Sequence, residues 1–382
     1  MTNRNNSSVR QTEQMTLALF FTFGVSMRMW DEDGIMDREL ALYKRLSETV
    51  DHIYLFTYGD ERDTDYADQL PDNVTVVPKK SVSNSLLYSF LCPVIHRDIF
   101  RDIDIVKTNQ MLGSWTAIIA SVLFSIPLVV RTGYILTKFY NKLEKPLPIR
   151  LVARVLETVS YAAADGIITS SPHGYDYIES RYWTRGSHQM VPNYIETDVF
   201  APMDGVEPEP DTLLFVGRLA EQKNLHALLR ALDDLPYSLT LVGEGPLEDN
   251  LRSLATSLNV DAKFIGRVPN HEIPRIINKH EAFILPSHFE GMPKSILEAM
   301  SCGVPCIGTD VDGTRDVVDD GETGVLCETD SESLGEAIHR LMSETELRTR
   351  LGSNARAEIL ENYSLDGVTQ AEQALYKRLL KR

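Results

Sequence analysis

Short apolar runs alternate with longer amphipathic segments through the first half of the chain. The run TLALFFTF, at residues 16–23, stops at Gly24, as a buried parallel strand stops before a glycine turn. Later runs of this kind are HIYLFTY, VTVVP, DIDIVKT, PLVVRT and GIITSS. Between the runs, segments such as the one that begins near Asp37 repeat apolar residues at near-helical spacing. Repeated strand and helix signals predict a parallel sheet covered by helices on both faces.

The alternation pauses at residues 191–211, a segment rich in proline and acid, and then restarts. The second set of strand signals is TLLFVGR, SLTLVGEG, AKFIGRV, EAFILPS, PCIGTD and GVLC, separated by helical segments and followed by two closing helices. The chain is therefore predicted to be α/β, with two Rossmann-like doubly wound domains facing across a ligand-binding cleft.

The same patterns divide the chain into five predicted segments. They are a disordered polar tail at 1–15, a first domain at 16–192, a linker at 193–210, a second domain at 211–365 and, at 366–382, a helix that packs back toward the first domain.

Composition narrows the class of protein. The 382 residues are 43% hydrophobic and 24% charged, as in a soluble globular protein, and the net charge of −17 argues against a nucleic-acid binder. The 25 Arg outnumber the 13 Lys, which suits a salt-rich cytoplasm, although an acidic mesophilic protein fits equally well. Four cysteines without a CxxC pair indicate a reduced, cytoplasmic protein.

The longest apolar run, at residues 115–130, is too short for a membrane span. It contains Ser125 and Pro127 and does not reach the roughly 18 residues that a spanning helix needs. Its pattern predicts a helix, a turn and a buried strand.

The most informative stretch is HFEGMPKSILEAM, at residues 288–300. Pro293 suits the first position of a helix, which places Glu290 in the preceding loop and Glu298 within the helix. The free N–H groups of such a helix start form an anion site, particularly for phosphate. Two carboxylates beside a phosphate site make sense if they accept hydrogen bonds from the hydroxyls of sugars attached to that phosphate.

Cations that could bind the same anion lie in FVGRLAEQKN. Gly217 ends a strand there, and Arg218 and Lys223 flank the start of the next helix. Further glycine turns follow strands at Gly243 and Gly266, and the second of these could let the backbone approach a base.

Glu290-x7-Glu298, with GRLAEQKN upstream and GVPCIGTDVDGTRDVVDDGETGVL downstream, resembles the C-terminal domain of GT-B glycosyltransferases of family 4. The resemblance extends over residues 16–380 and is closest over 190–330. It implies a retaining enzyme that transfers a hexose from a UDP- or GDP-sugar to a glycan acceptor, with no metal and no other cofactor. Asp310 and Asp312 imitate a metal-binding DxD motif, but their place after a strand of the second domain does not suit a metal-bound donor.

The resemblance also implies roles for individual residues. Glu298 would bind the ribose and Glu290 the transferred hexose, while Arg218 and Lys223 would stabilise the negative charge that develops on the leaving diphosphate. The catalytic residues would be Arg218, Lys223 and Glu290, and the donor-binding residues Gly217, Gly243, Gly266, Gly291, Met292, Pro293, Lys294, Ser295 and Glu298.

The first domain, which would bind the acceptor, matches the family less closely. Family members often have closely spaced glycines after the first strand, whereas Gly24 and Gly34 are ten residues apart here. The His that many members carry after the strand matched by DIDIVKT is absent, so either Asn109 takes its contact or the role is lost. Arg131 either faces the cleft or forms an ordinary salt bridge.

Residues 131–154 hold six basic residues and one acid, interleaved with aromatic and aliphatic side chains. They form either a membrane-surface patch that serves a lipid-linked acceptor or a solvated basic helix. The first alternative predicts a cytoplasmic protein peripheral to the membrane, active in assembly of surface polysaccharide or of glycoprotein glycans, as in haloarchaeal N-glycosylation.

Two other functions remain open at this stage. A nucleotide-sugar epimerase of the same fold would share the donor but have no acceptor cleft. A noncatalytic sugar-nucleotide-binding protein would explain the missing His, although it would not need a complete set of diphosphate and sugar ligands.

Overall fold

Two parallel β-sheets form the protein, whose computed structural model describes residues 13–381. Residues 1–12 of the tail predicted at 1–15 lie outside the described residues. Residues 13–15 are not tail but the beginning of the first strand, which starts at Glu13, three residues before its predicted start. The first sheet consists of β1 (Glu13–Phe20), β2 (Val50–Phe56), β3 (Val74–Val77), β4 (Ile105–Thr108), β5 (Leu128–Thr132), β6 (Gly166–Thr169) and β7 (Ser187–Met190), in the order β3-β2-β1-β4-β5-β6-β7.

Helices cover both faces of this sheet. They are α1 (Met27–Glu32), α2 (Met36–Ser47), α3 (Ser85–Ile95), α4 (Ser114–Phe124), α5 (Leu136–Lys142), α6 (Leu147–Ala163) and α7 (Pro172–Arg181). Alternate residues of β1 enter different cores: Leu17 and Leu19 pack with α2, whereas Ala18 and Phe20 pack with α3, α4 and α6. Burial on both faces explains why the strands of this sheet other than β7 read as apolar runs.

The second sheet has six parallel strands with the order β10-β9-β8-β11-β12-β13. Its strands are β8 (Glu209–Val216), β9 (Ser238–Val242), β10 (Ala262–Gly266), β11 (His280–Leu285), β12 (Cys306–Thr309) and β13 (Val325–Cys327). The helices that follow β7 are α8 (Leu225–Ala231), α9 (Glu248–Ser257), α10 (Ile273–Asn278), α11 (Lys294–Ser301), α12 (Ser331–Ser343), α13 (Thr345–Asn362) and α14 (Leu365–Leu380). The predicted fold class, with two doubly wound α/β domains, is confirmed.

Short 3-10 segments connect some of these elements. They span Glu61–Gln69, Ile99–Arg101, Glu221–Lys223 and Asn270–Glu272. Three helices close the chain where two were predicted, because breaks at Glu344 and Ser364 divide the segment.

The apolar run at residues 115–130 folds as predicted. Helix α4 ends at Phe124, Ser125 adopts a left-handed conformation with φ of 56°, and β5 begins at Leu128. No helix among residues 13–381 is long and apolar enough to cross a membrane.

Helix α14 follows the second sheet in the chain but packs on the first. Its residues Val368, Leu375 and Leu379 belong to the same core as Leu17 of β1. The two chain crossings between the sheets are hydrogen-bonded to each other, because Ile195 N donates to the Tyr363 carbonyl at 2.8 Å. The crossings therefore support each other.

A buried ion cluster attaches α14 to the first sheet. Lys107 Nζ lies 2.5 Å from Oε2 of Glu372, and Arg131 Nη1 lies 2.9 Å from its Oε1. Tyr376 donates a third hydrogen bond to the same carboxylate. Burial raises the pKa of Glu372, but the two cations outweigh it and hold that pKa below its ordinary value. A buried charge with this many partners specifies where α14 sits.

Candidate functional site

A cleft of about 980 Å³ lies between the carboxyl ends of the strands of the second sheet and the start of α2. The predicted residues that line it are Gly217, Arg218, Lys223, Gly243, Glu290, Met292, Pro293, Lys294, Ser295 and Glu298. Gly266 ends β10 directly before Arg267 and Val268, which also line the cleft. Residues separated by up to 81 positions in the sequence thus meet at one edge of the sheet.

Lys223 and Glu290 form an ion pair in this cleft. Lys223 Nζ lies 2.5 Å from Oε1 of Glu290, and Ser287 Oγ donates to the same oxygen at 2.6 Å. Both charged side chains are largely buried. Two donors on one oxygen fix the orientation of the carboxylate.

Arg218 has a different environment. It follows β8, is exposed and lines the cleft. No hydrogen bond or ion pair involves its guanidinium within residues 13–381. The side chain is therefore available to bind an anion in the cleft.

Two glycines allow the loops of the cleft to touch. Gly243 has φ of +128°, and a Cβ there would lie 2.0 Å from the Gly217 carbonyl oxygen. Gly313 has φ of +79°, and its Cβ would lie 2.1 Å from the Gly291 carbonyl oxygen. Only glycine fits both the conformation and the space at these positions.

Helix α11 begins at Lys294, so Pro293 precedes the helix by one residue instead of occupying its first position. The prediction was off by one because Pro293 has an extended ψ of 112°. No side chain caps the helix, which leaves the N–H groups of its first turn directed at the cleft. This helix start carries the partial positive charge that favours an anion.

Two residues of α2 bring charge from the first domain to the start of α11, and the sequence analysis did not find them. Arg38 lines the cleft, whereas Glu39 lines the second cavity, which adjoins it. Arg38 Nη1 lies 3.9 Å from Oε1 of Glu298, and Glu39 Oε1 lies 3.4 Å from Nζ of Lys294. The Nε of Arg38 is buried without a hydrogen-bond partner. Burial raises the pKa of Glu298, although Arg38 and Lys294 oppose this shift.

A second cavity, of about 290 Å³, adjoins the cleft at the carboxyl ends of β4, β5 and β6. Asn109, Arg131 and Gly291 line it, whereas Gly24 lines neither cavity and Gly34 lines the cleft. The structure therefore does not bring Gly24 together with the other predicted acceptor-side residues.

Arg131 combines the two alternatives that the sequence left open. It lines the second cavity and also forms the ion pair with Glu372. Its Nη2 donates to Oδ1 of Asn193 at 3.2 Å, and Asn193 Nδ2 donates to the Met292 carbonyl at 2.9 Å. Asn193 thus joins the floor of the second cavity to the loop before α11.

Charged groups from both domains meet at the rim of the second cavity. Asp312 Oδ2 lies 3.5 Å from Nε2 of His173 and 4.0 Å from Nζ of Lys142. Asp310 instead pairs with Arg315 at 2.5 Å, so the two aspartates of the DxD-like motif have separate partners. Among residues 13–381, no group of three or more acid, His or Cys side chains could hold a metal ion.

His173, from the start of α7, lines the second cavity. The loop after β4, where the resemblance led us to expect a histidine, contributes Asn109 and Gln110 to the same cavity. The sequence analysis missed His173 because it belongs to a helix whose apolar pattern is weak. Phe139 and Phe289 pack edge to face near the same rim, with centroids 6.1 Å apart. The cavity therefore offers aromatic surface beside charged groups, a combination that suits a sugar or an amphiphile.

Comparisons with known proteins found one matching family model and several named relatives. Residues 202–358 match the family model described as Glycosyl transferases group 1. The N-acetyl-alpha-D-glucosaminyl L-malate synthase of Bacillus anthracis is 26% identical over 215 residues, which are 54% of this chain and 53% of that protein. The UDP-Gal:alpha-D-GlcNAc-diphosphoundecaprenol alpha-1,3-galactosyltransferase of Escherichia coli is 27% identical over 282 residues, or 69% of this chain and 72% of that protein. The matched regions span 53% and 36% of the length of the first two curated relatives.

Solved structures share the whole architecture. The sucrose-phosphate synthase from Thermosynechococcus elongatus has a TM-score of 0.77 at 19% identity, covering 96% of this chain and 100% of that one. HepE of Anabaena, in complex with UDP and glucose, has the same TM-score, identity and coverage. At this identity the likeness concerns the fold.

Proposed function

We propose that this chain, which has the GT-B fold and whose second domain belongs to the glycosyl transferases group 1 family, transfers a hexose from a UDP- or GDP-sugar to a glycan acceptor. One observation carries the proposal. Arg218, Lys223, the start of α11, Glu290 and Glu298 converge in a single cleft. Cations with a helix N-terminus suit a diphosphate, and two carboxylates suit the hydroxyls of two sugars.

The ribose, diphosphate and hexose of the donor lie along the cleft beside the groups that bind them. Glu298 accepts hydrogen bonds from the ribose hydroxyls, and Glu290 accepts them from the transferred hexose. Arg218 and Lys223 bind the diphosphate together with the N–H groups at the start of α11. This arrangement places Lys223 between the phosphate and the sugar, since it donates to Glu290.

The transfer step is favoured by groups that stabilise charge on the leaving diphosphate. As the bond from C1 of the hexose to the phosphate oxygen breaks, negative charge grows on the leaving diphosphate. Arg218, Lys223 and the helix start stabilise it where it appears, and no metal is needed in this scheme. The acceptor hydroxyl attacks from the face that the diphosphate leaves, and the leaving phosphate takes its proton, so the anomeric configuration is retained.

The acceptor occupies the second cavity and is lipid-linked. The cavity adjoins the cleft at Gly291 and Met292, so an acceptor held there reaches C1 of the hexose. The Escherichia coli relative is named for a diphosphoundecaprenol-linked acceptor, which supports this class. We place the enzyme in the cytoplasm and peripheral to the membrane, in assembly of a cell-surface polysaccharide or of a glycoprotein glycan such as that of haloarchaeal N-glycosylation.

A screen of donors tests the proposal first. The full chain is heated with each of a panel of UDP- and GDP-hexoses, and a true donor at 100 times its dissociation constant adds about 2.7 kcal/mol of stability. Glu298→Ala should weaken this effect, whereas Glu336→Gln, at an exposed position of α12, should not.

Transfer is tested with the donor so identified. A prenyl-diphosphate-linked sugar serves as acceptor, and NMR of the product reports the anomeric configuration. Inversion at C1 would contradict the retaining mechanism. Epimerisation of the donor without acceptor would indicate an epimerase, and binding without any turnover would indicate a noncatalytic protein.

A further inference from the structure

Helices α3, α4 and α6 form one layer over the first sheet, and the outer surface of this layer is apolar. Helix α4 packs between the other two. Their outward residues include Leu87 and Phe90 of α3, Val122 of α4, and Leu151, Val152 and Val155 of α6. We call this surface the α3–α4–α6 face.

The exposure of these side chains is large. Val122 is 73% exposed, Val152 is 68% exposed and Val155 is 62% exposed. A surface helix ordinarily directs polar residues to solvent. Helix α6 instead buries Glu157, which accepts hydrogen bonds from Thr137 and Tyr182, and directs valines outward. Single exposed apolar residues are normal, but a contiguous patch across three helices indicates a binding surface.

Basic residues accompany the face in a chain that is otherwise acidic. Residues 79–101 and 142–154 contain eight Lys and Arg and two acids, a net charge of +6 in a chain of −17. Arg97, just after α3, and Arg101, at the end of the 3-10 segment that follows, both lie near Asp98 and are exposed, at 69% and 70% of the side chain. An apolar surface with basic residues around it complements an anionic bilayer, where acyl chains lie beneath lipid phosphates.

We propose that the α3–α4–α6 face docks onto an anionic lipid bilayer, with its apolar side chains at the boundary between headgroups and acyl chains. This surface differs from the patch at residues 131–154 that the sequence indicated. Ile135 and Leu136 of that patch are buried, and Phe139 lines the second cavity. Tyr134 is exposed but lines the second cavity, and the next exposed apolar residue of the patch is Leu143. The rest of the face comes from α3, α4 and the remainder of α6.

The position of the face fits a lipid-linked acceptor. Helix α5 lines the second cavity with Lys138, Phe139 and Lys142, and the chain then leads directly into α6. A lipid anchored beneath the face would thus present its headgroup at the wall of the cavity. This step rests on the proposed function, whereas docking to the bilayer does not.

Vesicle flotation tests the docking. The full chain is mixed with vesicles of phosphatidylcholine alone or with phosphatidylglycerol, and we expect binding to the anionic vesicles that weakens as salt rises. The double variant Val152→Ser/Val155→Ser should lower the bound fraction at least about tenfold, because two inserted side chains are lost. Arg97→Glu/Arg101→Glu should lower binding to anionic vesicles and abolish most of its salt dependence.

The matched control is Ile265→Ser/Leu360→Ser, which removes two exposed apolar residues of the second domain and should leave flotation unchanged. Equal binding by all variants, or no binding to anionic vesicles, would overturn the docking proposal. Sedimentation without lipid tests whether a second copy of the chain binds the face instead. If the chain does not float with vesicles but forms a dimer that Val152→Ser/Val155→Ser converts to monomer, the face is an interface between copies. Thermal stabilisation by the sugar donor, measured on the same variants, reports the proposed function separately.

Discussion

Lys223 donates a 2.5 Å hydrogen bond to Glu290, so the cation assigned to the diphosphate and the acid assigned to the hexose form one unit. Neither side chain is positioned independently of the other. A sugar nucleotide that binds both side chains therefore meets an ion pair that is already formed. Removing either side chain would change the hydrogen bonds that the other can make.

The coupling predicts non-additive kinetics. Lys223→Ala and Glu290→Gln should each lower kcat/KM, and the double variant should cost about 0.5–3 kcal/mol less than the sum of the two. The measurement is a double-mutant cycle on transfer rates. A parallel cycle of Lys223→Ala with Glu336→Gln, a distant exposed residue, should be additive. Additivity in both cycles would refute the coupling between Lys223 and Glu290.

Arg218 should act mainly on the chemical step. Because its guanidinium has no partner within the described part of the chain, Arg218→Ala leaves no buried charge unpaired and should fold normally. We expect turnover to fall by about 10² as stabilisation of the leaving diphosphate is lost. The control is Arg230→Ala on the exposed side of α8. Unchanged single-turnover rates for Arg218→Ala would remove it from the mechanism.

Arg38 should contribute to donor binding from the other domain. Its buried Nε makes no hydrogen bond within residues 13–381, with Glu39 Oε1 3.8 Å away, and this atom and its position near Glu298 suit a hydrogen bond to the sugar nucleotide. Arg38→Ala should raise the KM for the donor by about 10- to 100-fold, as the loss of a charge-assisted hydrogen bond would. Lys44→Ala, on the same helix, is the control, and equal KM values for the two variants would contradict the assignment.

The ion cluster around Glu372 predicts a dependence of stability on pH. Glu372→Gln leaves Lys107 and Arg131 buried without their anion and should cost about 3–5 kcal/mol in the free energy of unfolding at pH 7. Since the folded-state pKa of Glu372 is lowered, its stabilisation is complete above its ordinary pKa of 4.5 and is lost as pH falls through the lowered value.

Urea denaturation across pH 3–7 would check the cluster. The difference between the wild-type protein and Glu372→Gln should narrow as the pH falls below 4.5. Glu336→Gln should stay within about 0.5 kcal/mol of wild type throughout. A difference that does not change with pH would mean that packing, and not charge, holds α14.

Most of the fold could be predicted because buried parallel strands are apolar on both faces. The exception among the described strands is β7, Ser187–Met190, an edge strand whose half-exposed side chains make no apolar run. Helix α7 was missed because it buries only Gly174 and Ile178, too few residues for a helical pattern. In β7 and α7 the residues at buried positions are too few and too polar to give a local pattern.

The second-domain residues that line the cleft could be found from the sequence because they lie in short loops directly after strands. Arg38 and His173 could not, since they reach the cavities from helices of the first domain and no local motif marks them. Asn193 likewise acts through contacts with Arg131 and Met292, which are distant in sequence. Contacts between domains depend on how the two sheets face each other, which no single stretch encodes.

The return of α14 to the first sheet also orders the assembly of the chain. The core around Leu17 lacks Val368, Leu375 and Leu379 until the intervening second domain has been synthesised. On the ribosome, the first domain would thus remain incomplete while its neighbour folds, because its closing contacts span more than 340 residues. Helix α14 therefore makes the completion of the first domain conditional on the emergence of the second.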